Sequence, residues 1–241
     1  MSDGANETVK MGSKTPRVPE GDRVVVEQAI AAAESRTGAE FVVAVAARSG
    51  RYDRAEDVFG LVFGLLGVTA AWLLFQGVMP NPGDWETGWT LTLGLPVVLG
   101  IFAGWTVLGA AIASRVPVLA RPFILSRQME EEVQTRGREA FHMFRVDGGE
   151  DAPGVLIYVS LLERRVLIRA SDALGAKLPG GGAGAFDAAR DGLVGDIKAG
   201  REIGASLSGA VERCAAAIAG VCPRTGAERT KGIANTVRLL A

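Results

Sequence analysis

The sequence predicts an α/β fold, a three-layer α/β/α sandwich interrupted by a two-helix transmembrane hairpin. Three observations carry the prediction. Residues 58–114 hold two charged side chains, Asp84 and Glu86, although the whole chain of 241 residues carries 26 basic and 27 acidic ones. Short aliphatic and β-branched runs stand on both sides of that window. Amphipathic helical patterns are interleaved with those runs, as in a layered α/β domain.

Residues 1–21 are polar, with no apolar run ahead of a cleavage site, and a disordered tail is expected there rather than a secretory leader. The first part of the domain spans residues 22–57. Asp22 is the expected cap of a helix to about Arg36, with Val26, Ile30 and Ala33 on its inner face and Gly38 ending it. Glu40 to Ala47, EFVVAVAA, reads as a strand covered on both faces. The second part, residues 115–223, opens with an amphipathic helix over 127–144, its inner face marked by Met129, Val133, Ala140, Phe141 and Phe144. Gly154–Ser160 and Arg164–Ala170 form an antiparallel pair, because so short a connection allows nothing longer. Two helices follow. Phe186, Ala189, Leu193 and Ile197 line the first, which Gly200 ends; Ile203, Leu207, Val211, Cys214 and Ile218 line the second, which stops before Pro223.

The hairpin occupies residues 58–114. Val58–Met79 and Thr87–Ser114 carry no charge, and about 20 apolar residues suffice to cross a hydrocarbon core. Pro96 is a candidate kink in the second span. Arg48, Arg51 and Arg54 precede the first span, and Arg115, Arg121 and Arg127 follow the second. The turn Pro80–Glu86 between them has no basic residue. Positive flanks stay inside, so both termini are expected in the cytoplasm, with Trp85 and Trp89 at the outer interface. Gly60/Gly64 and Gly100/Gly104 have the spacing of close helix packing, in a tight hairpin or a homo-oligomer. The abundance of glycine favours composition over function as the reason. The hairpin returns the chain to the side it left, so Glu40–Ala47 is expected to join the later strands in one sheet.

In this order, V-E-Q-A-I-x3-E-x2-T-G-A-E-F-V-V-A-V (Val26 to Val45), the helix patch Arg136 to Phe144, and G-V-L-I-Y-V-S-L-L-E-R-R-V-L-I (Gly154 to Ile168) resemble the TPM-domain family. Asp172 and the stretch with Lys198-Ala199-Gly200, Leu207, Val211 and Cys222-Pro223 extend the resemblance, although the family usually has Phe at Cys222. It covers both soluble stretches, about Asp22 to Pro223, and membrane-interrupted bacterial members look most similar. The resemblance implies an α/β/α sandwich and a role in assembly or repair of membrane complexes. It also implies acid phosphatase activity or calcium binding in some members. The family's soluble members commonly carry an Asp-Asn-Gly turn before the strand; here Glu150-Asp151-Ala152-Pro153-Gly154 stands in its place.

A net charge of −1 argues against a nucleic-acid partner. A single histidine and two cysteines exclude a histidine pair and a disulfide framework. Acids near strand ends form the one candidate cluster: Glu40, Asp147, Glu150, Asp151 and Asp172, with Glu40, Asp147, Asp151 and Asp172 as the metal ligands and calcium or magnesium as the ion. Ordinary solvated loop charge explains the same residues. Gly180-Gly181-Gly182-Ala183-Gly184 lacks the Lys and Ser/Thr of a phosphate loop and reads as a connection. Arg164 and Arg165 are candidate phosphate contacts, and His142 and the cysteines read as structural. In the basic tail, 224–241, Ile233, Val237 and Leu240 share a helical face suited to anionic lipid, with a disordered tail the favoured alternative. The expected function is an inner-membrane scaffold, assembly or repair factor whose partners are the bilayer and another membrane protein or complex. The alternative is a membrane-tethered metal-dependent phosphatase.

Overall fold

A computed structural model describes residues 16, 18–50, 52–75, 94–147, 153–182, 184–224 and 235–240. The chain makes two units, one from residues 1–50 and 126–241, the other from 51–125.

The larger unit is mixed α/β. Its elements are α1 (Glu20–Arg36), β1 (Glu40–Ala46), α5 (Ser126–Met143), β2 (Gly154–Ser160), β3 (Arg165–Ala170), α6 (Asp172–Gly175), α7 (Asp187–Lys198), α8 (Ile203–Ile218) and β4 (Arg238–Leu240). The numbers α2 to α4 belong to the smaller unit. The four strands form one sheet in the order β3-β2-β1-β4. β1 runs parallel to β2 from Glu40 opposite Gly154 to Ala46 opposite Ser160, and β3 returns antiparallel to β2.

Successive side chains of a strand point to opposite faces, and here both faces are covered. Phe41, Val43, Val45, Val155, Ile157 and Val159 enter one core with side chains of α1, α7 and α8. Val42, Ala44, Ala46, Leu156 and Tyr158 enter a second core with Val133, Ala140 and Phe141 of α5. The near-continuous apolar runs of β1 and β2 are therefore the consequence of two cores sharing one sheet.

Helix limits differ from expectation where tertiary contacts intervene. The N-cap of α1 is Pro19, not Asp22; the Arg23 N–H bonds the Pro19 carbonyl at 3.1 Å, and Glu20 and Asp22 fall in the first turn, where acids suit the helix dipole. Asp22 is instead the point where α1 meets α8. A Cβ on Gly204 would lie 2.8 Å from the Asp22 Cα, so glycine lets the two backbones approach. Thr37, not Gly38, closes the helix, its N–H and hydroxyl both donating to the Ala33 carbonyl at 3.0 and 2.9 Å.

The end of the tail is strand, not membrane-surface helix. Residues 238–240 pair in parallel with Ala44–Ala46, Val237 is buried in the core, and the Arg238 guanidinium stands 5.6 Å from the Phe144 ring centroid. β1 is apolar on both faces and would leave an open edge; the tail supplies the missing backbone partners, which a helical-face pattern cannot reveal. Ile233 lies outside the described residues.

The smaller unit contains α2 (Asp53–Phe75), α3 (Leu95–Arg115), the short α4 (Pro117–Ala120) and a 3-10 turn at Arg121–Phe123. Arg54–Phe75 and Leu95–Arg115 are both long and apolar enough to cross a membrane. Only 17% and 6% of their most apolar stretches is buried, which is the reverse of a core helix in a water-soluble domain. Residues 76–93, with the acidic turn, Trp85 and Trp89, lie outside the described residues.

α2 and α3 touch along a glycine seam. Gly60, Gly64 and Gly67 of α2 face Phe102, Trp105, Thr106 and Ala110 of α3; a Cβ on Gly60 would lie 2.7 Å from the Thr106 carbonyl oxygen. The Gly60/Gly64 spacing thus serves close packing within the hairpin, contrary to a purely compositional reading. Gly100 and Gly104 have nothing within reach of a Cβ. Pro96 occupies the first turn of α3, where its missing N–H is no loss, and makes no kink.

Candidate functional site

In sheets with parallel strands, sites form beyond the carboxyl ends of those strands. β1 and β2 end side by side, and their pairing continues past the strands: the Leu161 and Leu162 N–H groups each bond a carbonyl, of Ala46 and Ala47, at 3.0 Å. The turn 161–164 then reverses the chain. Arg164 sits at its end with φ 54°, so β3 starts one residue later than expected, at Arg165. This turn points Glu163 inward, leaving it 3% exposed.

A polar chain fills the space. The Tyr158 phenol and the Ser49 hydroxyl are 2.9 Å apart, the Ser49 hydroxyl donates to Ser160 Oγ at 2.8 Å, and the Ser160 hydroxyl donates to Glu163 Oε2. Glu163 Oε1 accepts the Ser49 N–H at 2.8 Å and the Gly50 N–H at 3.4 Å. With Tyr158 donating, every hydroxyl gives one proton along the row and the carboxylate receives the last. Burial pushes the Tyr158 phenol up to about 12, with help from the charge of Glu163.

Chemically this row is a clamp. It ties Ser49 and Gly50, the last residues of the α/β unit before the hairpin, to the turn after β2. In the sequence Leu161-Leu162-Glu163 reads as a plain connection, and the row goes unseen. The available signal is an acid directly after two leucines in the short turn between two apolar strands.

The acids expected at the site lie at the other end of the sheet. Glu40 opens β1 opposite Gly154, and Asp172 follows β3, whose Ala170 pairs with Val155 next to it. Asp147 is exposed and follows Val146, whose carbonyl abuts Gly154. The topology therefore carries Glu40, Asp147 and Asp172 toward one sheet end. Glu150 and Asp151 lie outside the described residues. Among the described residues, no three Asp, Glu, His or Cys are grouped to hold a metal ion. Asp172 is exposed in the first turn of α6, which Ser171 caps; the Ser171 hydroxyl oxygen also accepts the Gly154 N–H at 3.1 Å and so ties α6 to the start of β2.

The remaining candidates have structural work. Arg165 pairs with Glu130 and reaches the Ser126 carbonyl at 3.3 Å. Gly180, Gly182 and Gly184 take positive φ in and after a 3-10 turn. His142 is exposed and sits edge-on to Phe141. Burial pushes the Cys214 thiol up to about 12, which removes the thiolate needed of a nucleophile.

No family model and no curated protein matches the chain significantly. Among solved structures, the fold is similar to the NMR structure of the BA42 protein from the psychrophilic bacterium Bizionia argentinensis. The TM-score is 0.50, with 14% sequence identity over 92% of this chain and 94% of that one. At that identity the likeness is one of fold alone.

Proposed function

We propose that this chain is an integral membrane protein of the TPM type, whose α/β/α domain serves as a scaffold, assembly or repair factor for a membrane-protein complex. One observation carries the reading: two long, solvent-facing apolar helices are inserted between β1 and β2, which are neighbours in register in one sheet. A domain built this way is tethered to the bilayer at both ends of the insertion. The tether comes from within the fold, and a chain that leaves and returns keeps both soluble stretches on one side. With arginines at residues 48, 51, 54, 115, 121 and 127, that side is the cytoplasmic face of the inner membrane.

The test is accessibility labelling in native membranes followed by crosslinking. Single cysteines within 20–50 and 130–220 are expected to label from the same face, and crosslinking to give a discrete adduct with another membrane protein. Labelling from opposite faces would overturn the reading. A second reading, a membrane-tethered metal-dependent phosphatase, is favoured by the placement of Glu40 and Asp172 at the same end of the sheet. It predicts calcium- or magnesium-dependent phosphate release from an aryl phosphate, abolished by Glu40→Ala and Asp172→Ala.

A further inference from the structure

α3 is 21 residues long, enough by itself for a hydrocarbon core of about 30 Å at 1.5 Å per residue. The segment after it is therefore not needed to cross, yet it is almost as apolar. Val116–Leu125, VPVLARPFIL, carries a single charge, at Arg121. Polar side chains are expected of a connection leaving a membrane for water; here Val116, Val118, Leu119 and Leu125 are 45%, 41%, 41% and 70% exposed.

The depth of this segment is set by two contacts within the smaller unit. The Ser114 hydroxyl donates to Glu56 Oε2 at 2.7 Å, which sets the end of α3 level with the start of α2. The Phe123 ring meets the Phe59 ring edge-on, centroids 6.1 Å apart. In α2 the charges stop at Asp57 and the apolar run begins at Val58. The segment thus lies beside the turn of α2 where a bilayer's polar layer gives way to its acyl chains. Arg54 and Arg115 are exposed at the same level, as expected of residues reaching headgroups.

We infer that Val116–Leu125 is an interfacial collar that lies in the bilayer surface, burying Val118, Leu119 and Leu125 among the upper acyl chains while Arg115 and Arg121 face the headgroups. The occupant of this apolar surface is lipid. A water-exposed connection gains nothing from such side chains, whereas an apolar face lying in the interface buries to about 5–10 Å. The inference rests on the membrane reading of α2 and α3 and adds to it a third, non-spanning contact with the bilayer.

The test uses the full chain in phosphatidylcholine–phosphatidylglycerol vesicles, with a nitroxide label on Leu119→Cys or Leu125→Cys. Leu66→Cys in the middle of α2 and Lys198→Cys on α7 are the deep and aqueous references. Collision with oxygen and with a water-soluble nickel chelate reports depth. Labels at 119 and 125 are expected about 5–10 Å below the headgroups, between the two references. Labels there as nickel-accessible as at 198, with 66 still deep, would overturn the collar and leave the spanning helices standing. Labels as deep as 66, or shielded from both reagents, would overturn it as well. Nickel access at 66 would overturn the membrane reading and the collar together.

Discussion

The two units use the same kinds of side chain in opposite ways. In the α/β unit Val43, Ile157, Leu193 and Leu207 are fully buried, whereas in the hairpin Leu65, Leu66, Leu73 and Leu74 stand 60–76% exposed. The hairpin's interior holds its small residues, Gly60, Gly64, Gly67 and Gly109. In water, burial of large apolar groups is the dominant driving force. Where the surroundings are themselves apolar that force vanishes, and close backbone approach takes its place. The inversion is the one expected if the hairpin is surrounded by lipid, as proposed, and the larger unit by water.

Excising the hairpin tests that difference most severely. Joining Asp57 to Arg115 by a short polar loop is expected to convert a detergent-requiring protein into a water-soluble one that keeps its α/β circular-dichroism spectrum. Molten or insoluble material would show that the larger unit depends on the helices.

Matched truncations measure the same inversion. Ile157→Ala should cost about 4 kcal/mol through a core cavity, read as a fall of roughly 10 °C in the Tm of the full chain in detergent. Leu66→Ala should move Tm by no more than the equivalent of ~0.5 kcal/mol. Leu66→Asp separates the solvents directly, since it is harmless on a wet surface but opposes insertion by about 3 kcal/mol in a bilayer. The readout is the fraction released from membranes at alkaline pH.

The clamp at the strand ends comes next. Glu163→Ala leaves the Ser49 and Gly50 N–H groups and the Ser160 hydroxyl without their acceptor. At about 1 kcal/mol for each stranded donor, the loss is about 3 kcal/mol, checked by Tm and by faster amide exchange at 49 and 50. Ser160→Ala, which removes one donor with its acceptor contact, should lose less.

Tyr158 gives a pH dependence with a definite sign. Its phenol sits near 10 when unfolded and is raised to about 12 in the fold. Between those values the folded protein holds a proton that the unfolded chain has released, so stability falls as pH rises from 10 to 12. The total loss is roughly 2–3 kcal/mol. Below pH 10 the contribution is fully present. Tyr158→Phe should flatten this limb of the stability curve, while a slope unchanged in the variant would assign it to other groups.

Smaller effects are expected at the hairpin's glycines. Gly60→Ala forces a contact with the Thr106 carbonyl and should weaken α2–α3 packing by about 1–2 kcal/mol. Gly100→Ala meets open space and should be neutral. Equal effects at both positions would point to a partner on the Gly100 face.

Legibility tracks the range of the interaction. The inner faces of α1, α5, α7 and α8 and the extents of β1 and β2 are written in local periodicity, which a short window of sequence contains. The cap at Pro19 is not legible there because Asp22, the residue the local pattern offers as cap, packs instead on Gly204, far along the chain. β4 is hidden because three residues of backbone pairing leave no pattern in side chains. The Ser49–Tyr158–Ser160–Glu163 row escapes notice because Ser49 stands more than a hundred residues before the other three in the chain, until the parallel register brings Ala46 beside Ser160. Of the candidate acids, sequence places Glu40, Asp147 and Asp172 near strand ends, but which end they share is a property of strand direction.

By itself, then, the sequence determined where charge and apolar character change along the chain, and hence which segments are helix, strand or long apolar span. Solvation and local hydrogen bonding act over a few residues and are readable there. Tertiary structure alone decided that the tail closes the edge of β1, that Gly60 and Gly64 are packed while Gly100 and Gly104 are open, and that a buried carboxylate clamps the exit to the hairpin. Each of those depends on which distant backbones lie within a few ångströms of one another, a matter of register and crossing that no local pattern encodes.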